Sequence, residues 1–412
     1  MSSWSACLRL WSPTLALALH CRPNPPTLNL HRMRGVTMAA APPPSSSTGD
    51  DATTNDPAIE EYASPVGYHV PVLRAEAVEW LITDKSGTYV DGTLGGGGHT
   101  EALCDVVAPQ GGHVIGVDRD PDALGVAAER LAPHISAGHC TLVRSNFGAL
   151  KEALAPQRAA AGGGPFVDGL LLDLGVSSHQ IDDAARGFSY MQAGPLDMRM
   201  DKGGTTSEVS AISSSFTAAT IVNTWSAEEI ADCLWKYGDE RESRRIARKI
   251  VQAREENGPL ETTAQLAAVL KAAGGKVREP KELMRRQSRV FQALRIEVNQ
   301  EIAELENVLH AAAELIKPGG RLAIMSYHSL EDRRAKRLLR SGTFFDTPPP
   351  KDAYGNVLAP WKPLTRQAVV ASEAEVDRNT RARSARLRIG ERTEHPAVPP
   401  SEESGPARRT RR

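Results

Sequence analysis

Apolar residues between positions 68 and 173 fall into short runs, separated by stretches in which they recur every three or four positions. The short runs predict buried strands and the spaced stretches predict helices. The predicted strands are Thr88–Asp91, His113–Asp118, Thr141–Arg144, Val167–Asp173 and Arg321–Tyr327. The predicted helices are Thr100–Val107, Pro121–Leu131 and Phe147–Leu154. Strands that alternate with helices predict an α/β fold with a mostly parallel sheet.

The interval between the fourth and fifth predicted strands is too long for one crossover helix. Its first part, 186–287, contains polar turns and helical stretches such as Ala227–Tyr237 and Glu240–Arg254, which predict an inserted all-helical domain. Its second part, Ser288–Ile316, predicts one long helix with a single apolar face, ended by Gly319–Gly320. We therefore expect a sheet domain in two pieces, 63–185 and 288–392, with the helical domain between them.

The N-terminal residues have an unusual composition. Residues 1–49 lack Asp and Glu but contain four arginines and many Ser, Pro and Ala, and 43–58 have the composition of a disordered linker. We expect 1–62 to be a transit peptide with its linker, directed to the chloroplast or alternatively to the mitochondrion. A secretory signal at Leu15–Leu19 and a disordered segment without a targeting role are the other possibilities. Residues 393–412 predict a basic disordered tail.

Overall composition excludes several classes of protein. The net charge is -1 and 24% of residues are charged, so total charge indicates no particular partner. The five cysteines are scattered without a CxxC pair, and we therefore expect neither a metal site nor a disulfide framework. Because no apolar run reaches about 18 residues, we expect no membrane span.

The segment 90–99 (VDGTLGGGGH) joins the first predicted strand to a helix through a glycine-rich turn. Glycines let the backbone approach a ligand closely, as in nucleotide-cofactor turns. Asp118, at the end of the next strand, is placed to accept hydrogen bonds from ribose hydroxyls. Asp91 would repel the pyrophosphate of NAD but suits an ammonium and a sulfonium group. The turn therefore favours S-adenosylmethionine, whereas a flexible glycine linker is disfavoured by its position between strand and helix.

The fourth and fifth predicted strands end in LLLDLGVSSHQIDD and LAIMSYHSLEDR. In such a sheet, ligands bind at the carboxyl ends of the strands. Asp173 is the best candidate to hold a methyl acceptor, because a strand-end carboxylate is costly unless it binds something. Ser177 and His328 are further catalytic candidates, although the serine could cap a helix and the histidine could orient rather than act as a base. The remaining candidates around the acceptor are Ser178, Gln180 and Ser329.

Several stretches together resemble one family, the ribosomal RNA small-subunit cytosine N4-methyltransferases (RsmH/MraW). These stretches are HVPVL (69–73), VDGTLGGGGHT (90–100), GVDRDPDAL (116–124), LLLDLGVSSHQIDDAARGFSY (170–190), GPLDMRMD (194–201), FQALRIEVNQEI (291–302), SYHSLEDR (326–333) and RARSARLRIGER (381–392).

The resemblance implies a Rossmann-like class I methyltransferase with an inserted helical domain. It also implies that S-adenosylmethionine serves to methylate the N4 amine of a decoding-region cytosine in small-subunit rRNA. The family's cofactor residues match Gly97, Gly98, His99, Asp118, Phe147, Asp173 and Gln180. With Asp91 from the argument above, these are the expected cofactor-binding residues.

The chain departs from the family pattern at two places. Gly96 stands where an arginine is usual, and RRQSRVFQALRI replaces the usual PATRTFQALRI at the predicted domain junction. The [DNS]PP[YFW] motif of the DNA amino-methyltransferases is absent from the sequence, and Asp173-Leu174-Gly175 occupies its place. This counts against a DNA substrate.

Basic residues are concentrated in the predicted helical domain and near the C-terminus. Segregated positive stretches fit a phosphate-binding surface, although interleaved glutamates also allow a solvated helix face. A methyltransferase of proteins or small molecules and an inactive RNA-binding factor remain alternative functions. The sequence does not predict the oligomeric state. The clusters are Arg241, Arg244, Arg245, Arg248, Lys249 and Arg254; Lys276, Arg278, Lys281, Arg285, Arg286 and Arg289; Arg378, Arg381, Arg383, Arg386 and Arg388; and Arg408–Arg412.

Overall fold

The computed structural model describes residues 71–201, 216–275 and 279–397. The predicted transit peptide, the linker, most of the basic tail, and the cluster members Lys276 and Arg278 lie outside the described residues. The predictions for them therefore stay predictions. In the described part, no helix combines the length and the apolar composition that a membrane crossing requires.

The described strands form one seven-stranded sheet in the order β3-β2-β1-β4-β5-β7-β6. β1 to β5 pair in parallel, β7 runs antiparallel to β5, and β6 antiparallel to β7. The predicted α/β class with a mostly parallel sheet is confirmed. The strands are β1 Thr88–Asp91, β2 His113–Asp118, β3 Cys140–Arg144, β4 Val167–Asp173, β5 Ile316–Ser326, β6 Trp361–Pro363 and β7 Arg386–Arg392.

Helices connect these strands and form a separate group in the middle of the chain. The helices are α1 Arg74–Leu81, α2 Gly98–Val107, α3 Pro121–Arg130, α4 Ala132–Ser136, α5 Leu150–Ala153, α6 Ala155–Ala160, α7 Ser178–Asp182, α8 Ala218–Thr224, α9 Ala227–Gly238, α10 Ser243–Asn257, α11 Thr263–Ala272, α12 Pro280–Asn299, α13 Glu301–Leu315, α14 Ser329–Ser341 and α15 Glu373–Arg378. Four short 3₁₀ turns complete the described elements: Ala108–Gln110, Phe147–Ala149, Ala184–Arg186 and Thr380–Ser384.

The predicted single helix Ser288–Ile316 is wrong. It is two helices, because Gln300 has a left-handed backbone (φ +51°) and ends α12. The two halves pack in different places, Leu294 against the helical group and Leu309 against the sheet. The apolar spacing continues through the break, so the pattern alone could not reveal it. The predicted end at Gly319–Gly320 is also wrong, since Ile316 already pairs with Val167 in the sheet.

Two other predicted helix boundaries are corrected by local capping. Phe147–Leu154 begins as a 3₁₀ turn, in which the Asn146 side chain accepts the Gly148 N–H at 3.1 Å. Glu240–Arg254 begins only at Ser243, because Glu240 is buried in the turn before α10, where its side chain accepts the Glu242 N–H. Polar residues that compete for backbone N–H groups commonly set helix starts.

Alternating residues of the central strands build two apolar layers. Leu170 and Leu172 of β4 pack on one face of the sheet with Leu309, while Leu171 packs on the other face with Leu103. The pleat directs successive side chains to opposite faces, so one strand supplies both layers. Each buried leucine contributes about 1.5–3 kcal/mol by leaving water. This packing holds the carboxyl ends of β1, β2, β4 and β5 at one edge of the sheet.

The helical group has its own apolar core. Ile230, Ile246 and Leu266 pack there, together with Phe291 of α12. Helix α12 starts before the predicted boundary at 287 and contributes most of its buried residues to this group. After the break at Gln300, α13 packs on the sheet, so the two successive helices connect the two cores.

Candidate functional site

A cavity of about 390 Å³ lies at the carboxyl ends of the strands, beside the point where the sheet order reverses between β1 and β4. This is where open α/β sheets bind their ligands. Of the predicted site residues, Asp91, Gly97 and Ser329 do not line the cavity. The predicted residues that do line it are Gly98, His99, Asp118, Phe147, Asp173, Ser177, Gln180 and His328.

The glycine turn between β1 and α2 needs glycine for steric reasons. Gly97 precedes α2 with φ +80°, a left-handed conformation that disfavours other residues. At Gly98, a Cβ atom would come within 2.4 Å of Pro71 Cγ. Gly96 lines the cavity with a φ outside the left-handed region, so its backbone does not require glycine. The backbone here would therefore also accept the arginine that is usual in the family.

Asp91 is buried beneath the turn. Its Oδ1 accepts the Thr93 N–H at 3.1 Å and its Oδ2 accepts the Thr100 hydroxyl at 2.7 Å. Burial raises the pKa of the Asp91 carboxyl, against the opposing effect of His99. These contacts tie the end of β1 to the first turn of α2. The structure therefore gives Asp91 a role in shaping the turn, and its predicted contact with the cofactor stays a prediction.

Asp118 ends β2 and lines the cavity. Its Oδ2 accepts the Gly95 N–H at 2.8 Å and its Oδ1 accepts the Asp120 N–H at 2.9 Å. Burial raises the pKa of this carboxyl, while the two backbone N–H groups lower it. The carboxylate is held rigidly next to the glycine turn, in the position from which it could also accept ribose hydroxyls. Phe147 lines the same cavity after β3.

Asp173 ends β4 and is anchored on one side. The Tyr327 hydroxyl donates to Asp173 Oδ1 at 2.8 Å, and the Asp173 N–H donates to Thr93 Oγ1 at 2.6 Å. Asp173 Oδ2 lies 3.5 Å from His99 Nε2, and the described residues donate no hydrogen bond to it. The carboxylate thus presents a fixed acceptor oxygen in the cavity. Both ring nitrogens of His99 are buried without a hydrogen-bond partner among the described residues.

Gln180 belongs to a buried polar network under the cavity. Its Nε2 donates to Asp120 Oδ2 at 2.9 Å, and its Oε1 accepts the Ser177 N–H at 3.2 Å. Arg186 Nη1 donates to the same Asp120 oxygen at 2.9 Å. In return, Ser177 Oγ accepts the Gln180 N–H at 3.2 Å. This is the contact of a helix-capping serine, which the sequence allowed as the alternative to a catalytic role. The network fixes α7 against the start of α3.

His328 precedes α14 and pairs with Glu331. Its Nε2 lies 2.9 Å from Glu331 Oε1, while Glu331 Oε2 accepts the Tyr327 N–H at 2.9 Å. Burial raises the pKa of the Glu331 carboxyl, but His328, the Tyr327 N–H and Arg295 outweigh it and hold the pKa below its ordinary value. These contacts fix the position of His328, and its role as an orienting residue or as a base stays a prediction.

One group of described residues combines possible metal ligands: Glu301, His328 and Glu331, with ligand atoms within 4.8 Å of one another. Arg295 donates to both oxygens of Glu301, at 2.7 and 2.8 Å. Glu331 is compensated by His328 and a backbone N–H, as described above. The oxygens of both carboxylates thus already have partners within the chain, Arg295 at Glu301, and His328 and the Tyr327 N–H at Glu331.

Several cavity residues were not predicted. Thr93 and Tyr327 position Asp173, while Gln292 and Arg295 reach the cavity from α12. All four fall inside the stretches that resemble the family, and Thr93 and Tyr327 also lie in the glycine turn and at the end of the fifth predicted strand. Asn379 and Ser384 line the cavity from the segment before β7, where the sequence indicates a basic cluster but not a wall of this cavity.

The basic residues of the helical group divide into structural and exposed ones. Arg286 is buried and pairs with Glu242, and Arg289 pairs with Glu240 at 2.5 Å. Arg254 Nη1 donates to the Val222 carbonyl at 2.7 Å. These three side chains hold helices together, which corrects their assignment to an RNA-binding surface. The exposed members are Arg241, Arg244, Arg245, Arg248, Lys249, Lys281 and Arg285.

The cavity fits S-adenosylmethionine by its shape and its donors and acceptors. Bare glycine backbone forms one wall, and a carboxylate suited to ribose hydroxyls lies beside it. Phe147 offers an aromatic ring for an adenine, and the volume is in the range of small-molecule sites. Asp118, Phe147 and Gly98 would hold the cofactor next to Asp173.

Comparison with known proteins agrees with this geometry. The model of the MraW methylase family matches residues 67–393. Relatives named ribosomal RNA small subunit methyltransferase H include one from Chlorobium phaeovibrioides, 45% identical over 80% of this chain and 97% of that protein. Another, from Geotalea uraniireducens, is 45% identical over 79% of this chain and 98% of that protein. A third, from Bacteroides fragilis, is 42% identical over 79% and 97%. The chain belongs to the MraW methylase family and is an S-adenosylmethionine-dependent methyltransferase.

Proposed function

We propose that this enzyme methylates the N4 amine of a cytosine in the decoding region of small-subunit rRNA. The observation that carries the proposal is the anchored Asp173 carboxylate, whose Oδ2 is open to a ligand in a cavity fitted to the cofactor. Relatives named for small-subunit rRNA methylation support the choice of substrate.

The residues around the cavity suit an exocyclic amine. With Oδ1 held by the Tyr327 hydroxyl, the Asp173 carboxylate can accept one amine N–H at Oδ2 and so direct the nitrogen lone pair toward the methyl group. Bound S-adenosylmethionine supplies an electrophilic methyl group on its sulfonium. The amine proton becomes acidic once the nitrogen is methylated, so no strong base is needed. His328, held by Glu331, has the role of orienting rather than deprotonating the acceptor.

A target base inside structured RNA must leave its stack to reach the cavity, at a cost of a few kcal/mol. Contacts of the protein with the RNA backbone would offset this cost. The exposed arginines of α10 and of the segment before β7 are the groups available for such contacts.

The test is transfer of labelled methyl groups to a small-subunit rRNA fragment, followed by mass spectrometry of the nucleosides. We expect N4-methylcytidine at one position. At saturating S-adenosylmethionine, Asp173→Asn should lower turnover about 100-fold or more, in the range seen when one preorganised electrostatic group is lost. Asp232→Asn, an exposed carboxylate of α9, is the matched control. Label on protein, on another base, or undiminished turnover of Asp173→Asn would refute the proposal.

We also propose that 1–62 directs the chain to the chloroplast, with the mitochondrion as the alternative destination. The support is the acid-free composition of 1–49. A fluorescent protein fused to 1–62 should accumulate in one of these organelles. Fluorescence spread through the cytosol or sent to the secretory route would contradict this.

A further inference from the structure

The segment between α15 and β7 forms part of the cavity wall. Asn379, Arg381 and Ser384 line the cavity from here. The segment is anchored at both ends, because Ala382 and Ala385 are buried and Glu375 Oε1 accepts the Leu73 N–H at 2.7 Å. This wall is therefore an ordered part of the site although it lies near the end of the chain.

Arg381 has an incompletely satisfied guanidinium in this wall. Its Nη2 donates to Asp182 Oδ1 at 3.0 Å, whereas its Nη1 is buried and has no hydrogen-bond partner among the described residues. A buried donor without a partner is costly, and more so on a charged group. The ion pair with Asp182 holds the planar fork in place, and such a fork matches a phosphate or a carboxylate.

Neighbouring arginines continue this positive charge to the outside. Arg383 and Arg386 are exposed and bind no other side chain or carbonyl in the described part of the chain. Arg388 differs, because Asp332 pairs with it at 2.7 and 3.2 Å. Arg388 therefore stabilises the fold, whereas Arg381 lines the cavity and Arg383 and Arg386 are exposed to solvent.

We propose that Arg381 binds a backbone phosphate beside the target nucleotide, and that Arg383 and Arg386 bind phosphates further along the same strand. This inference rests on the proposed RNA substrate. A row of cations that extends out of the cavity fits a polyanion, whereas the single carboxylate of a cofactor would leave the outer arginines without a ligand. Asp182 is the last residue of α7, the helix that follows β4 and its Asp173 in the chain.

The experiment compares Arg381→Gln with the wild type on the same small-subunit rRNA fragment. We expect RNA binding about tenfold weaker, with the slope of log affinity against log salt reduced by about 0.7, the value for one phosphate contact on a single strand. The cofactor dissociation constant should stay within twofold. Arg381→Lys should restore part of the RNA affinity. Arg340→Gln is the charge-matched control, since Arg340 pairs with Asp346 and does not line the cavity.

A neutral methylphosphonate beside the target cytosine locates the contact. It should weaken binding to the wild type about as much as Arg381→Gln does, and it should weaken binding to that variant little further. The inference would be overturned if Arg381→Gln left the salt slope unchanged, or if the losses in affinity from the variant and from the methylphosphonate were additive. When the wild type methylates the same RNA, either result would leave the proposed function intact. Loss of cofactor binding in Arg381→Gln would overturn the inference in favour of a cofactor carboxylate. A wild type that methylates no RNA would overturn the proposed function as well.

Discussion

At the scale of single residues, the site depends on how carboxylates are held. Asp173 keeps one oxygen available because Tyr327 occupies the other. Asp91 has both oxygens occupied, one by Thr93 of the glycine turn and one by Thr100 of α2, and it stabilises the shape of the turn. The sequence identified both as strand-end acids, but only the hydrogen bonds separate a binding group from a structural one.

Replacing Tyr327 by Phe tests this anchoring. Burial, with Asp173 beside it, raises the pKa of the Tyr327 hydroxyl well above its ordinary value, so it stays a neutral donor throughout the physiological pH range. We expect Tyr327→Phe to lower kcat about tenfold or more, since a hydrogen bond to a charged group contributes about 1.5–3 kcal/mol. Cofactor affinity should hardly change. The control is Tyr354→Phe, an exposed tyrosine, and equal kcat in both variants would contradict the role.

Glu331 gives a prediction for pH. Its folded-state pKa is held below the ordinary value, so its stabilisation is present above about pH 4.5 and is lost as pH falls through the folded pKa. We expect Glu331→Gln to lower the free energy of unfolding by about 1–3 kcal/mol at pH 7. The difference from the wild type should shrink below about pH 4.5. Urea unfolding at pH 7 and pH 4 measures this.

Glu129→Gln is the control for that experiment, because Glu129 is an exposed carboxylate on α3. It should leave the free energy of unfolding nearly unchanged at both pH values. A Glu331→Gln deficit that is constant from pH 7 to pH 4 would show that the carboxylate charge is not the stabilising feature.

At the scale of elements, the break between α12 and α13 relates the two cores. Helix α12 packs with the helical group, and α13 packs on the sheet. Gln300 takes a left-handed conformation there to turn the chain. A periodicity of three and four residues continues through both helices because each has its own buried face. The same property that made the helices predictable therefore concealed their junction.

Gln300→Gly should stabilise the protein. A left-handed conformation costs a non-glycine residue about 1–2 kcal/mol, and the Gln300 Nε2 bond to the Glu297 carbonyl offsets part of this. We expect a net gain of about 0.5–1 kcal/mol in the free energy of unfolding, measured in urea. Gln252→Gly, an exposed position inside α10, should instead lose about 1 kcal/mol. Destabilisation in both variants would argue against strain at Gln300.

At the scale of the whole molecule, positive charge is placed by the fold rather than by composition. The net charge is -1, and several of the described basic residues of the helical group, among them Arg254, Arg286 and Arg289, hold helices together. The exposed remainder on α10 and before β7 is what an RNA could contact. Counting arginines along the chain overestimated that surface, since ion pairs with glutamates distant in sequence cannot be read from local patterns.

Reversing the charge of Arg244 and Arg248 tests the helical surface. Both are exposed on α10, where Arg248 Nε donates to the Arg244 carbonyl of the same helix at 3.2 Å. Arg245 is less suitable because it donates to the Ala273 carbonyl outside this helix. We expect the double Glu variant to bind the rRNA fragment at least tenfold more weakly, with the salt slope reduced by about 1.5 for two phosphates. Lys336→Glu with Arg340→Glu, an exposed pair of the same spacing on α14, is the control. Equal salt slopes in the two variants would count against a specific surface.

The sequence by itself determined the first five strands and the glycine turn, and it placed Asp118 and Asp173 at strand ends. Strand alternation and turn chemistry are local properties, so they can be read from neighbours in the chain. Only the tertiary structure decided the break at Gln300 and the short antiparallel strands β6 and β7, because packing against distant residues sets them. It alone also brought Tyr327 to Asp173 and Arg381 to Asp182, contacts that span 154 and 199 residues of chain.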